Sequence, residues 1–200
     1  MKQPQGNYYN KYTTGNPFYR KLMANFFSSL EKCLHEIEFQ RVYEAGCGEG
    51  YVTTHIAQSR GNIEIHASDI SNEVVEQAKA ICPTANFSVG SVYEIAFPAE
   101  SFDLVVACEV LEHLEFPELA IQELLRIAKR YLLISVPNEP IWRVCNVLRG
   151  KYISDFGNTP GHIQHWSTTA FRSLVKKSCD IIKQETPFPW TMLLCEKRKI

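Results

Sequence analysis

A glycine-rich stretch and one isolated carboxylate are the residues of this chain best suited to hold a ligand. The stretch is residues 44–50, in which glycines occupy every second position from Gly46 to Gly50. Glycines there let the backbone turn tightly and let a ligand approach the bare main chain. Asp69 follows nineteen residues after Gly50, and a carboxylate so placed accepts hydrogen bonds from both hydroxyls of a ribose. The pattern predicts a site for a cofactor that contains a nucleoside.

Two further carboxylates end predicted strands at the same expected edge of a sheet. Glu44 directly precedes the glycines, where it could order their loop and favour a cation through a bridging water. Glu109 follows an apolar run at 104–108. Open α/β sheets bind ligands at this edge. The simpler alternative is an ordinary strand-to-helix turn, with Asp69 serving only the start of the helix near Ser71.

Acid–base chemistry could come from Glu109, Glu112 and His113, and from two later histidines, His162 and His165. An imidazole titrates near pH 6.5 and can act as a general base. A helical turn after the strand would place Glu109 and His113 on one face. We take His113 as the candidate catalytic base, its alternative being a structural histidine that packs the helix start. The two later histidines either line a substrate cavity or cap the helix that follows.

The elements that must position these residues alternate between strands and helices. Strands are predicted at 41–44, 62–68, 86–89, 102–108 and 131–136, and helices at 51–59, 71–81 and 117–129. Such alternation predicts a parallel sheet built from right-handed crossover units. Near the end, helices are expected at 140–148 and 167–177, around a loop at 149–165. Strands at 180–185 and 190–196 are joined by only four residues, so they should be antiparallel.

The whole chain, 1–200, is predicted to be one domain, because 200 residues fit one core better than two. Residues 1–37 form an irregular arm and an amphipathic helix from 18 to 37, and the arm is a candidate lid. The aromatic residues of this lid are Tyr8, Tyr9, Tyr12, Phe18 and Tyr19. They fold over the site, or they only staple the first helix to the sheet.

Charge and cysteine content bound the remaining possibilities. Residues 42–140 carry five basic and fifteen acidic side chains, whereas residues 141–200 carry ten basic and four acidic. This asymmetry indicates either solvated helix faces or an acidic mouth for a cation. The seven cysteines are scattered and include no CxxC pair, which argues against a disulfide framework or a zinc ribbon. With no apolar run long enough to span a membrane, we expect a cytoplasmic protein without a transmembrane segment.

Four sequence blocks give this site a family resemblance. They are YEAGCGEG at 43–50, SDIS at 68–71, VGSVYEIAFPAESFDLVVACEVLEHL at 89–114 and LLISVPNEP at 132–140. In this order and spacing the chain resembles the class I S-adenosylmethionine (SAM)-dependent methyltransferases, in particular the small family that includes quinone-pathway O-methyltransferases. The resemblance implies a Rossmann-like α/β fold with helices on both faces of a seven-stranded, mostly parallel sheet. Its strand order would be 3-2-1-4-5-7-6, with an antiparallel last strand.

The resemblance also implies SAM as cofactor, S-adenosylhomocysteine as product and a set of cofactor contacts. The residues around the methionine part would be Glu44, Gly46, Cys47, Gly48 and Gly50. Asp69 would hold the ribose and Ile70 would lie against the adenine, with Ser91 and Val92 at the adenine edge. Glu109 would begin the loop beneath the methionine part. Ser91 departs from the family, which often has an aspartate that reads the adenine amino group, and a serine hydroxyl is a weaker acceptor.

The function we expect is methyl transfer from SAM to a small-molecule acceptor, with oxygen favoured and with no metal ligand. The [DN]PPY signature of amino-methyltransferases is absent, since CEVL stands after the fourth strand. NAD is a poorer candidate cofactor, because the third glycine of its GxGxxG fingerprint comes one residue early here.

Two further functions remain open. Glu109, Glu112, His113 and His162 resemble the ExxEH…H metal set of small-RNA 3′-end 2′-O-methyltransferases. In such a site a hard divalent cation would lower the pKa of the terminal hydroxyls. The absence of a dense basic run makes nucleic acid an unexpected partner. A SAM-binding module without turnover is the other alternative.

Overall fold

The computed structural model describes residues 15–198. The helices are α1 (Pro17–Leu34), α2 (Tyr51–Ser59), α3 (Asn72–Ile81), α4 (Pro117–Ile127), α5 (Glu139–Leu148) and α6 (Thr168–Val175). The strands are β1 (Arg41–Ala45), β2 (Glu64–Asp69), β3 (Asn86–Val89), β4 (Phe102–Cys108), β5 (Ala128–Pro137), β6 (Cys179–Glu185) and β7 (Trp190–Lys197). Two short 3₁₀ turns, Leu111–His113 and Ile153–Asp155, lie in the connections.

All seven strands form one sheet in the order β3-β2-β1-β4-β5-β7-β6. β1 pairs in parallel with β2 and with β4, whereas β7 runs antiparallel to both β5 and β6. The short β6–β7 connection forces this reversal, because a parallel pair needs a longer crossover. The predicted fold, including the strand order and the antiparallel β7, is confirmed. The order reverses beside β1, so the carboxyl ends of β1 and β4 border the crevice where open α/β sheets take ligands.

The sheet is covered on both faces, and strand β4 shows how its residues divide between them. Leu104 and Val106 are fully buried and pack with residues of α1 and α2. Val105 and Ala107, also fully buried, pack with residues of α4 and α6 on the other face. Successive side chains of a strand point to opposite faces, so an unbroken apolar run supplies both cores. This two-sided burial makes the sheet a rigid base for the loops at its edge.

Several predicted boundaries move by two or three residues, among them the ends of α1 and α4 and the starts of β2 and β5. Helix α1 ends at Leu34, whereas Ile37, predicted as its last turn, is buried after the helix has ended. Helix α4 ends at Ile127 because Ala128 already pairs with Phe102 of the neighbouring strand.

Among residues 15–198, no helix combines the length and apolar character that crossing a bilayer requires.

Candidate active site

The glycine turn after β1 uses its three glycines for different purposes. Gly46, Gly48 and Gly50 all have positive φ, at 68°, 53° and 84°, a region that favours glycine. A Cβ on Gly46 would lie 2.4 Å from a methyl group of Val110, whereas a Cβ on Gly48 would meet nothing within 4 Å. Gly46 is therefore required by packing, and Gly48 leaves bare backbone open to a ligand.

Asp69, at the end of β2, is tied to that turn. Its Oδ2 accepts a hydrogen bond from the backbone N–H of Gly48 at 3.1 Å, and its Oδ1 accepts one from Ser71 N–H at 3.0 Å. The side chain is half-buried and lines the same cavity as Gly48. Because each carboxylate oxygen has a second lone pair, these bonds position Asp69 and leave it able to accept from hydroxyl groups.

Glu44 lies beneath the turn with only 1% of its surface exposed. The hydroxyl of Thr53, in the first turn of α2, donates to Glu44 Oε2 at 2.5 Å. Burial raises the pKa of Glu44 to about 8, with a smaller contribution from the Asp69 charge, while the Thr53 hydrogen bond opposes the rise. A cation placed nearby would favour the ionised carboxylate, so this site gains from binding a positive group.

Glu109 corrects one expectation. The predicted helical turn that places Glu109 and His113 on one face is wrong, because Glu109 has a φ of 61° and only a 3₁₀ turn follows at Leu111–His113. The Glu109 N–H donates to the Ser135 carbonyl at 3.0 Å, and Trp190 Nε1 donates to Glu109 Oε2 at 2.6 Å. Contacts with Ser135 of β5 and Trp190 of β7 therefore hold Glu109 in a non-helical backbone conformation.

Four ionisable side chains, Glu112, His113, Glu139 and His162, form what we call the histidine cluster. His162 Nδ1 lies 2.5 Å from Glu139 Oε1, and both side chains are buried. His113 Nδ1 lies 2.9 Å from the Gly161 carbonyl, and the two imidazole rings meet edge to face at 4.9 Å. One possible ligand atom from each of Glu112, His113 and His162 lies within 4.8 Å of the others. The fold thus concentrates acid–base groups after β4, beneath the loop that leads to α6.

The hydrogen bonds of this cluster fix the ring tautomers. A carbonyl oxygen only accepts, so Nδ1 of His113 donates to Gly161, and Nδ1 of His162 donates to the Glu139 carboxylate in the same way. In each neutral ring the lone pair then belongs to Nε2. This arrangement provides two imidazoles suited to accept a proton or to bind a cation.

A single cavity of about 510 Å³ joins the glycine turn to the histidine cluster. Most of the residues predicted from the sequence line it: Glu44, Gly46, Cys47, Gly48, Asp69, Ile70, Ser91, Val92, Glu109 and His113. Gly50 lies just outside, where it precedes α2 and its Cβ would approach Ala78 to 3.1 Å. His165 is exposed, bonds to Asn158 and does not line the cavity. The volume is within the range of sites for small ligands.

The far wall of the cavity contains residues that sequence reasoning missed. Trp142 of α5 and Arg149, which directly follows that helix, line it. Thr53 bonds to Glu44, and Glu139 bonds to His162. Thr53 lies one helical turn into α2, and Glu139 follows β5 at a helix start, a position where an acid is ordinary. Of the predicted aromatic lid, Phe18 and Tyr19 line the cavity. Tyr8, Tyr9 and Tyr12 lie outside the described residues.

The chemistry of the lining fits a cationic nucleoside cofactor. Within residues 15–198, five carboxylates line the cavity: Glu44, Glu49, Asp69, Glu109 and Glu112. Among the lysines and arginines of these described residues, Arg149 alone lines it. An acidic cleft attracts a positive ligand. The exposed side chain of Ile70 and the half-buried Val92 add apolar surface beside Asp69 for a flat base. Together with the open backbone of Gly48, these carboxylates and apolar side chains are compatible with binding of SAM.

Sequence comparison gives matches over the same region. Residues 43–132 match the family described as "Methyltransferase domain". A relative from Mycolicibacterium smegmatis, named "Probable S-adenosylmethionine-dependent methyltransferase", is 31% identical over 115 residues, which are 52% of this chain and 44% of the relative. Ajmaline N-methyltransferase from Rauvolfia serpentina is 30% identical over 95 residues, or 44% of this chain and 32% of the relative. The chain thus spans less than half the length of these curated relatives.

Structural comparison extends the likeness to nearly the whole chain. Magnesium protoporphyrin IX methyltransferase from Synechocystis, solved with bound S-adenosylhomocysteine, aligns with a TM-score of 0.70 at 19% identity. The alignment covers 94% of this chain and 91% of that one. At such identity the alignment shows a shared fold, and the sequence matches are confined to about half of the chain. The strand order and the structural match thus show the fold of the class I methyltransferases, and residues 43–132 match a methyltransferase domain whose relatives include proteins named as SAM-dependent.

Proposed function

We propose that the protein transfers the methyl group of SAM to a small-molecule acceptor, with oxygen as the accepting atom. The observation that carries this proposal is the continuous cavity between the glycine turn and the histidine cluster. One end offers bare backbone and carboxylates to a cofactor, and the other offers imidazoles to an acceptor. The two reactants of a transfer would then meet within one cavity, which favours reaction by alignment.

At the cofactor end, the lining of the cavity supports most of the predicted roles. Asp69 would accept from the ribose hydroxyls while Gly48 N–H holds it in place. Residues of the glycine turn, Glu44, Gly46, Cys47 and Gly48, would surround the methionine part together with Glu109 after β4, while Gly50, predicted there too, would shape the turn from outside the cavity. Ile70 would cover the adenine face, with Ser91 and Val92 at its edge. When bound, SAM supplies an electrophilic methyl group on a sulfonium, and the acidic lining stabilises that positive charge.

At the acceptor end, we propose that His113 Nε2 receives a proton from the acceptor. A hydroxyl oxygen is a weak nucleophile until its proton is removed, whereas a neutral amine is already a good nucleophile, so a base is of more use to oxygen. The Gly161 carbonyl fixes the His113 tautomer that leaves Nε2 basic. This need for a base is our reason to favour oxygen, although one relative is named an N-methyltransferase.

Two measurements test the proposal. Isothermal calorimetry should detect binding of SAM and S-adenosylhomocysteine, and radiolabelled methyl groups from SAM should appear in small molecules of a metabolite pool. Binding without transfer to any metabolite or RNA pool would instead indicate a non-catalytic SAM-binding module. Absence of binding to either nucleoside would contradict the proposal.

A second candidate is metal-assisted methylation of RNA 3′ ends, and the approach of Glu112, His113 and His162 within 4.8 Å favours it. Two imidazoles and one carboxylate would suit a divalent cation. Glu109, the fourth residue of the related metal set, instead bonds to Trp190 and Ser135, and for this reason the metal-free function stands first. Labelling of RNA that requires a divalent cation and stops with a chelator would reverse this order.

We also propose that the protein acts in the cytoplasm as a single domain. All seven cysteines are free thiols, in keeping with a reducing compartment. The described helices cover one continuous sheet, which supports one folding unit. The lining of the cavity by Phe18 and Tyr19 supports a lid at the start of α1.

A further inference from the structure

An exposed apolar surface lies beside the opening of the cavity. We call it the α5 face, and it consists of Ile141, Val144, Val147, Leu148, Ile153 and Phe156. Leu148 is 82% exposed and Phe156 is 80% exposed, the two highest values for large apolar side chains in the described part of the chain. Leu148 also lines the cavity, as does Phe18 of α1, which is 55% exposed. These two residues therefore stand where the cavity meets solvent.

Helix α5 is held firmly with this apolar face outward. Ile141, Val144 and Leu148 follow the three- and four-residue spacing of one helical face. The opposite side is anchored by Asn146, which is fully buried and donates to the Gly157 carbonyl at 2.7 Å. A firmly anchored helix that exposes aliphatic side chains indicates a surface that something else covers.

The turn after α5 holds Phe156 in an unfavourable backbone conformation. Its φ is 50°, in the left-handed region that bulky residues rarely adopt. The Arg143 Nε donates to the Phe156 carbonyl at 3.0 Å, and Gly157 packs so tightly on Arg143 that a Cβ there would lie 2.2 Å from its carbonyl oxygen. Local strain of this kind persists when neighbouring contacts impose it. Here those contacts fix an aromatic ring in solvent.

The charges around the α5 face are mainly basic. Arg149 and Lys151 directly follow the helix and are exposed, and Lys21 lies one helical turn after Phe18. The Arg149 guanidinium stacks over the Tyr19 ring at 5.4 Å, which joins the start of α1 to the end of α5. Between residues 141 and 157 the sequence has one acidic residue, Asp155. Apolar side chains are thus bordered by positive charge on a surface next to the cavity opening.

We propose that the α5 face and the start of α1 dock on an anionic lipid membrane, with the cavity opening towards the lipid. Aliphatic and phenyl side chains enter the boundary between headgroups and acyl chains, while lysine and arginine bind anionic headgroups. A protein partner fits less well, because leucine and valine are under-represented among the residues that dominate protein interfaces. This docking does not depend on which acceptor is methylated.

Vesicle co-sedimentation tests the docking. The probes are vesicles of phosphatidylcholine alone and of an equal mixture of phosphatidylcholine and phosphatidylglycerol. The test variant is Val144→Ser/Ile153→Ser/Phe156→Ser, and none of these residues lines the cavity. The matched control is Phe116→Ser/Leu119→Ser/Ile182→Ser, which removes apolar side chains that are 52%, 53% and 46% exposed elsewhere on the surface. Circular dichroism melting confirms that both variants fold.

We expect the unaltered protein and the control to sediment with the mixed vesicles, less with pure phosphatidylcholine, and less at high salt. The test variant should partition at least about tenfold more weakly. Failure of the unaltered protein to bind mixed vesicles, or an equal loss in the control, would overturn the proposal. Concentration-dependent dimers that vanish in the test variant, without vesicle binding, would show that a second copy covers this face instead. SAM binding, measured separately, distinguishes either failure from failure of the proposed function.

Discussion

The carboxylate of Asp69 and the backbone N–H of Gly48 are joined by a 3.1 Å hydrogen bond across the carboxyl ends of β2 and β1. This bond connects the two features that the sequence singled out, and it brings the side chain proposed to bind the ribose beside open main chain. The pairing register supports it, since β1 and β2 run in parallel with Ala45 opposite Ser68. Much of the candidate cofactor site depends on this one contact.

Replacing Asp69 should weaken SAM binding far more than it lowers the free energy of unfolding. In the proposed function Asp69→Ala removes an acceptor for two ribose hydroxyls, and charged hydrogen bonds contribute about 1.5 to 3 kcal/mol each. We therefore expect SAM affinity to fall at least about 100-fold by calorimetry. The loss of the Gly48 and Ser71 contacts should lower the free energy of unfolding by only about 1 to 2 kcal/mol. The exposed Glu73→Ala serves as control, and unchanged SAM affinity in Asp69→Ala would refute the ribose assignment.

The glycines of the turn should respond differently to a single methyl group. Gly48→Ala places its Cβ in open space at a φ of 53°, so we expect a loss of stability of about 1 to 2 kcal/mol. SAM affinity should fall about tenfold or more, since the methyl group occupies the path of the ligand. Gly46→Ala adds a 2.4 Å contact with Val110, and overpacking should bring its cost to about 3 kcal/mol or more.

Urea denaturation and calorimetry on both glycine variants provide the measurement. If Gly48→Ala unfolds as readily as Gly46→Ala while binding SAM normally, Gly48 serves packing rather than ligand access.

Glu44 should make stability depend on pH. Burial holds its pKa at about 8 in the folded protein, against 4.5 ordinarily. The folded state then binds more protons than the unfolded state between these values, so stability falls as pH rises from about 5 to 8. We expect Glu44→Gln, which stays neutral, to flatten this decline, which should be on the order of a few kcal/mol. Urea denaturation across this pH range measures it, with Glu73→Gln as the control that should retain the slope.

The architecture and the cofactor edge could be predicted from the sequence because local signals determine them. The four residues between β6 and β7 allow only an antiparallel pair, and residues 102–108 are a buried strand by composition alone. The conformation of Glu109 could not be predicted, since Ser135 and Trp190 impose it from distant strands. The Glu139–His162 pair was missed for the same reason, because the two residues are 23 positions apart in the sequence, with α5 and the loop after it between them. Local patterns thus indicate elements, whereas contacts between elements decide the orientation of side chains.

Substitutions of Glu139 and His162 should have strongly non-additive effects on the free energy of unfolding. Both side chains are buried, and Glu139 Oε2 has no hydrogen-bond partner among the described residues. His162→Leu would leave the carboxylate buried without its imidazole, which we expect to cost about 3 to 5 kcal/mol. The double variant Glu139→Gln/His162→Leu should cost clearly less than the sum of the single changes. Additive losses in urea denaturation would show that the two residues stabilise the fold independently.

His113 should affect the transfer step more than cofactor binding. In the proposed function its Nε2 accepts the acceptor's proton, so His113→Gln should lower kcat by about 100-fold or more. SAM affinity should stay within about twofold, because the ring lies at the acceptor end of the cavity. The measurement combines calorimetry with transfer of a radiolabelled methyl group to the acceptor found in the metabolite screen, with and without a chelator. The exposed His165→Gln is the matched control, since that ring lies outside the cavity. A rate that is sensitive to the chelator and is lost in both His113→Gln and His162→Gln would show that the histidine cluster binds a metal ion instead. An unchanged kcat in His113→Gln would show that His113 is not the catalytic base.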